Sequence, residues 1–164
     1  MMVYEWLQEA LEDVYDEVKV TRNVSGPGLK RFDMVAEFTA FNAVGDVVAI
    51  NIVCEVDGAQ HFAEVPFFKN NKTPTNDVIK EVWAVEQGMH MIRLIQEEAW
   101  KDRDDPNAIF KQYILSVVAS IAEGAHEPCV HLMPRREYYD AQSFYVTAHA
   151  AAEKTAPVAP RFDV

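Results

Sequence analysis

The sequence predicts an α/β fold, a mixed central sheet flanked by helices, with its elements in the order α-β-β-β-α-β-α. Three patterns carry this reading. Residues 31–41, RFDMVAEFTAF, alternate apolar and polar with the period of a half-buried strand. Residues 47–57, VVAINIVCEVD, are almost continuously apolar, as in a strand covered on both faces. Val3, Leu7, Ala10, Leu11, Val14 and Val18 recur at helical spacing, and so do the apolar residues between Ile109 and Ile121.

Taken in order, the first helix is expected over about residues 2–17, with acids filling the positions between its apolar stripe. VKVTRNV reads as a strand and SGPG, residues 25–28, as a turn. The next strand places Phe32, Met34, Ala36 and Phe38 on one face and Asp33, Val35 and Glu37 on the other. NAVGD turns the chain into the apolar third strand. EVPFFKNNKTPTN is a loop, after which a helix starts near Pro74 or Thr75. That helix points Val78, Ile79, Val82, Trp83 and Val85 inward and ends near Gly88. MHMIRLI is a fourth strand. EEAWKDRDD is polar, and Pro106 opens an extra C-terminal helix that Gly124 closes. Residues 1–124 therefore form one α/β domain. Residues 125–164 are expected as a partly extended or flexible extension, since AAAEKTAPVAPRFDV is rich in Ala and Pro.

The 164 residues suit one domain, and 49% hydrophobic content supplies one core. The formal charge is -11, from 15 basic against 26 acidic side chains. As a total, that opposes nucleic-acid binding. Its distribution is uneven. Residues 1–17 hold six acids and no base, whereas residues 19–31 hold Lys19, Arg22, Lys30 and Arg31 and no acid. Lys69, Lys72 and Lys80 make a second local excess. No apolar run is long enough to predict a membrane span, so no membrane is expected as a partner. The acidic N-terminus is unlike a secretory signal, and two cysteines make no disulfide framework. A cytoplasmic setting follows as the expectation, bacterial or phage-encoded in the host cytoplasm.

The chemistry concentrates in CEVDGAQHF. Period-two alternation puts Glu55 and Asp57 side by side at the C-terminal end of an apolar strand. Neighbouring carboxylates repel, and a divalent cation removes the conflict; Mg²⁺ takes one or two carboxylates, with water and phosphate completing its shell. An isolated E-x-D is more often a solvated strand end. Here it has company: Asp33 on the preceding strand, His61 after a glycine bend, and Asp77 near the start of the next helix. Taken singly, Asp77 is a helix-dipole acid and His61 a loop histidine. Neutralising either Glu55 or Asp57 is expected to relieve repulsion and leave the fold intact.

RFDMVAEF, then CEVDGAQHF, then TNDVIKEVWAVEQGMHMIRL together resemble the PD-(D/E)XK nuclease superfamily, in its very-short-patch-repair-like branch with the EDxHD-type phage homing endonucleases. The likeness covers about residues 1–100. It implies a restriction-endonuclease-like α-β-β-β-α-β core and a metal-dependent DNA endonuclease using Mg²⁺ or Mn²⁺. It implies Asp33, Glu55 and Asp57 as metal ligands, with Gln60, His61 and Asp77 as further catalytic residues. An N-terminal helical acid belongs to the pattern; Glu9 and Glu12 fit best, with Glu5 and Glu17 behind. Asn76, Asp77 and Lys80 match its helix motif, and Gly88, Ile92 and Arg93 its closing strand. The superfamily's usual lysine after the second acid is missing, with Gln60 and His61 standing near where it would act. DNA contacts are expected from Lys30, Arg31, Lys69, Lys72 and Lys80, with phosphate also open to Arg93. One active site cuts one strand, so cutting both implies a homodimer.

HEPCVH brings together His126, Cys129 and His131, residue types that zinc takes. Three ligands at a non-finger spacing, with no CxxC, leave zinc the lesser reading. The alternative function is a non-catalytic binding or assembly protein on the same nuclease-like fold. Its motive is the acidic total charge.

Overall fold

The computed structural model describes residues 2–58, 61, 73–101, 109–124, 127–132, 150 and 161–162. The elements are α1 (Met2–Glu12), β1 (Asp16–Ser25), β2 (Arg31–Phe41), β3 (Val47–Asp57), α2 (Thr73–Glu86), β4 (His90–Ile95), α3 (Gln96–Lys101), α4 (Ile109–Ala122), β5 (Val130–Leu132) and β6 (Arg161–Phe162). The strands form one mixed sheet in sequence order, β1-β2-β3-β4-β5-β6. β1, β2 and β3 are an antiparallel meander. From β3 onward the neighbours run parallel; α2 carries the chain back between β3 and β4, and α3 and α4 between β4 and β5.

Helices cover both faces. Leu7 and Leu11 of α1, and Ile114, Val117 and Val118 of α4, pack with Met34, Ala36, Phe38, Ile52, Cys54, Ile92 and Leu94. On the opposite face Ala84, Val82, Trp83 and Val85 of α2 pack with Val53, Met91 and Ile95. The nearly continuous apolar run of β3 is explained by this double cover.

Four expectations change. α1 stops at Glu12 rather than near residue 17, and Val14 is left exposed. Ile79 lies outward on α2, because the inward stripe runs through Asp77, Val78, Glu81 and Ala84 instead. Phe32 packs on Trp83 at 5.6 Å, across the sheet from Met34 and Ala36. The β2–β3 ladder begins only at Met34↔Cys54, so Phe32 lies beyond it. Residues 125–164 contribute β5 and β6 to the same sheet as residues 1–124. β5 is wholly buried, and its three residues are too few to show a period in the sequence.

Candidate active site

The C-terminal end of β3, the start of β2 and the first two turns of α2 converge on one cavity of about 280 Å³. Lys30, Arg31, Asp33, Glu55, Val56, His61, Asn76, Asp77 and Lys80 line it. Most of these residues belong to the three stretches that carry the likeness, separated by up to 50 positions and now within one opening.

Asp33 and Glu55 are locked to each other where the β2–β3 ladder ends. The Asp33 N–H donates to Glu55 Oε1 at 3.2 Å, and the Val56 N–H donates to Asp33 Oδ2 at 2.8 Å. Side-chain carboxylates thus stand in for the missing ladder carbonyls, satisfying backbone donors and fixing both acids. Glu55 is 3% exposed and its second oxygen accepts from Lys80 Nζ of α2. Burial pushes the Glu55 carboxyl up to about 7, against the pull of Lys80 and with a push from Asp33. This is a carboxylate held where a cation is needed to keep it ionised.

Asp57 has a different fate. Its two oxygens accept from Arg93 Nε at 2.8 Å and Nη2 at 2.6 Å, a bidentate pair with both side chains buried. Arg93 also reaches Asp77 at 3.0 Å and Glu81 at 2.8 Å. Arg93 is therefore the centre of a buried ionic network and faces no phosphate, correcting that expectation. Burial opposes its charge, but three carboxylates outweigh burial and hold the guanidinium above its ordinary value. Asp57 does not line the cavity, and the set Asp33, Glu55 and Asp57 does not form a cluster of three converging metal-ligand atoms among the described residues.

His61 lies at the cavity with its Nδ1 2.8 Å from Asp77 Oδ2 and 3.4 Å from Asp57 Oδ1. Arg93 Nη2 lies 3.3 Å from the same nitrogen, so two carboxylates and a guanidinium converge on Nδ1. Burial alone would lower the affinity of the ring for its proton. The hydrogen bond that Asp77 accepts from the ring and the charges of Asp57 and Asp77 outweigh burial, so the pKa is raised. Asp77 sits in the second turn of α2, past the first turn where the helix dipole would account for it. Its carboxylate instead joins His61 to Arg93.

Glu9 and Glu12 do not come to the site. Both are exposed on α1, which packs on the opposite face of the sheet from α2. Glu9 faces Lys111 at 3.6 Å and Glu12 accepts from Gln8. Gln60, Lys69, Lys72 and His126 lie outside the described residues. Lys19 pairs with Glu37 at 3.2 Å, and Arg22 lies 4.8 Å over the Tyr4 ring. Lys30 and Arg31 are the bases from that segment that reach the cavity.

Sequence reasoning missed Glu81 and the structural use of Arg93. Two signals were present. Asp77 and Glu81 are four apart, hence on one helical face, and Arg93 interrupts an apolar strand. A charge in a strand buried on both faces must be paired. Cys54 lies behind these acids on the other face of β3. Burial, with the charges of Asp33, Glu55 and Asp57, pushes its thiol well above the ordinary value and leaves it inert as a nucleophile.

The chain matches no protein-family model, no curated protein and no solved structure. Among the described residues no helix is long and apolar enough to cross a membrane.

Proposed function

We propose that the chain is a metal-dependent DNA endonuclease that hydrolyses phosphodiester bonds in this cavity, on a restriction-endonuclease-like core. The observation that carries the reading is one opening shared by two interlocked carboxylates and a histidine–aspartate pair. The cavity also answers the charge objection. Its walls set Lys30, Arg31 and Lys80 against Asp33, Glu55 and Asp77, so formal charges cancel there before His61 is counted. A phosphate meets a neutral or positive opening on a chain of charge -11.

The donor set fits Mg²⁺ or Mn²⁺. Asp33 and Glu55 would supply two hard oxygen ligands, Glu55 by exchanging the Lys80 ammonium for the ion, which is the usual protein share of a Mg²⁺ shell. Such an ion, when bound, supplies charge stabilisation at the phosphoryl oxygens and an acidified water. The remaining roles fall to the chain. Lys80 holds Glu55 from α2 and puts a cation beside the two acids. Asp77 fixes the His61 ring with Nδ1 protonated. Its raised pKa suits His61 to give a proton from Nε2 to the departing oxygen. Asp57, Glu81 and Arg93 form the buried base that keeps Asp77 and the His61 ring in place. Lys30 and Arg31 hold the neighbouring phosphates.

The rival reading, a non-catalytic binder on the same fold, draws on one observation: Asp57 is already neutralised by Arg93 and Glu55 by Lys80. Incubation of supercoiled plasmid with Mg²⁺ or Mn²⁺ separates the two. Nicking by the wild type, lost in Glu55→Gln and His61→Ala, is expected; no nicking by the wild type, or equal nicking by Glu55→Gln, overturns the enzyme reading. Cleavage of both strands together with a dimer in solution would support the homodimer.

A further inference from the structure

At the N-terminal end of β4, away from the cavity, a second constellation is buried. His90 opens β4, Cys129 precedes β5, and His131 is the middle residue of β5. Cys129 Sγ lies 3.3 Å from His131 Nε2 and 3.7 Å from His90 Nδ1, and the two nitrogens are 3.3 Å apart. The three side chains are at most 7% exposed. Among the described residues this is the sole trio of such ligands whose atoms converge within 4.8 Å.

We propose that His90, Cys129 and His131 hold one zinc ion, which pins β5 to β4. The triangle has the right size. With Zn–N of about 2.05 Å, Zn–S of about 2.3 Å and a tetrahedral angle, nitrogens stand about 3.3 Å apart and nitrogen and sulfur about 3.6 Å. The nitrogen pair meets the first value, and the two nitrogen–sulfur distances bracket the second. The donor type selects the metal: one thiolate and two imidazoles suit zinc, whereas Mg²⁺ demands oxygen. The sequence reading had Cys129 and His131 with His126; the structure adds His90, which lies 39 residues from Cys129 and carries no spacing signal.

The position gives the ion its work. β4 and β5 pair over three residues only, Met91↔Val130 to Arg93↔Leu132. One more backbone bond, from the Met91 N–H to the Cys129 oxygen, and one from Tyr113 to the Leu132 oxygen hold the same segment. A parallel pairing this short has few ladder bonds to resist opening. A metal bound to one residue of β4 and two at β5 closes the long connection through α3 and α4.

The test uses the full chain, produced with zinc in the medium and purified without immobilised metal or chelator. Elemental analysis should give one zinc per chain. Replacement by Co²⁺ should give a thiolate-to-cobalt charge-transfer band in the near ultraviolet and intense tetrahedral d–d bands. Cys129→Ser should abolish the charge-transfer band, and Glu55→Gln should leave zinc content unchanged. Stripping the wild type should lower Tm by about 5–10 °C relative to zinc at a hundredfold excess over Kd. Amide exchange should quicken at Val130–Leu132 before it quickens in β2 and β3. Zinc below a tenth per chain with no cobalt charge-transfer band overturns the proposal, even if Cys129→Ser fails to fold. So does zinc lost in Glu55→Gln, which would put the ion in the other cavity. The first outcome leaves the nicking test untouched, and the second is told apart from it because zinc content is read without DNA.

Discussion

Glu55 and Asp57 are two positions apart and share a strand face, yet their partners give them opposite consequences. Asp57→Asn removes the bidentate acceptor of a guanidinium that is 1% exposed. Breaking such a buried pair costs about 3–5 kcal/mol. The expectation that neutralising either acid spares the fold is thus kept for Glu55 and withdrawn for Asp57. Urea unfolding of Asp57→Asn and Glu55→Gln should show a large loss for the first and little or none for the second. The pH dependence has a definite sign. The Glu55 carboxyl is raised from 4.5 to about 7 in the folded chain, so between those values the folded state holds more protons than the unfolded. Its contribution to stability is present below about 4.5 and lost as pH rises to about 7. His61, also raised, adds a loss in the same direction as pH rises through its folded value. Metal-free protein should therefore lose Tm between pH 5 and 7.5, and Glu55→Gln should flatten that loss. An unchanged slope in the variant would show that Glu55 is not the group responsible. At this scale the sequence was legible where motif residues meet directly, as in Asp33 with Glu55 and His61 with Asp77. It was harder to read where a charge is buried against another: the spacing of Asp77 and Glu81 and the charge of Arg93 within an apolar strand were there, but burial patterns assign charges to solvent.

Among the elements, the β1–β2 hairpin has the narrowest tolerance. Its turn is closed by the Gly26 N–H to the Lys30 oxygen, and Gly28 holds a φ of 62°. A Cβ at Gly26 would come within 2.8 Å of the Phe32 ring, which is 1% exposed, packs on Trp83 and lies 5.5 Å under the Lys80 ammonium. Gly26→Ala should cost about 1–3 kcal/mol as an overpacked core contact. It should also weaken DNA binding, since the ring it displaces sits between the hairpin bearing Lys30 and Arg31 and the helix bearing Lys80. Thermal unfolding and fluorescence anisotropy on a short duplex check the two effects. β2 was readable because its alternation is long, and β3 because its apolar run is nearly continuous. α1 was readable as a helix, but its periodicity could not say which face of the sheet receives it, and Glu9 and Glu12 were misplaced for that reason.

For the whole molecule, the proposed function makes charge decide how DNA would be met. The acidic total would repel a duplex within a Debye length of about 8 Å, while Lys30, Arg31 and Lys80 would attract it at the cavity. Affinity should fall steeply with salt, by about 0.9 in log K per log salt for each phosphate neutralised. Reversing Lys30 and Arg31 to Glu should reduce binding more than reversing Lys19 and Arg22, which already have partners in Glu37 and Tyr4. Anisotropy titrations at two salt concentrations decide it; equal losses would remove the cavity rim as the DNA footprint.

Sheet order and sequence order coincide from β1 to β6. A growing chain can therefore add each strand to the free edge left by the one before, with no strand inserted between two already paired. The antiparallel pairing of β1–β3 closes over short loops and involves no strand that is made later. Each parallel strand waits for its crossover, and until then the edge of β3, β4 or β5 in turn offers unpaired backbone to other chains. On the ribosome the vulnerable edge thus travels outward with synthesis, which proceeds at about 5–20 residues per second. The β5 edge is covered when Arg161 and Phe162 pair with it, which leaves the two-residue β6 as the edge. A chain cut after Pro160 should fold its meander normally and yet self-associate through β5, which light scattering of the truncated and full chains at equal concentration would reveal.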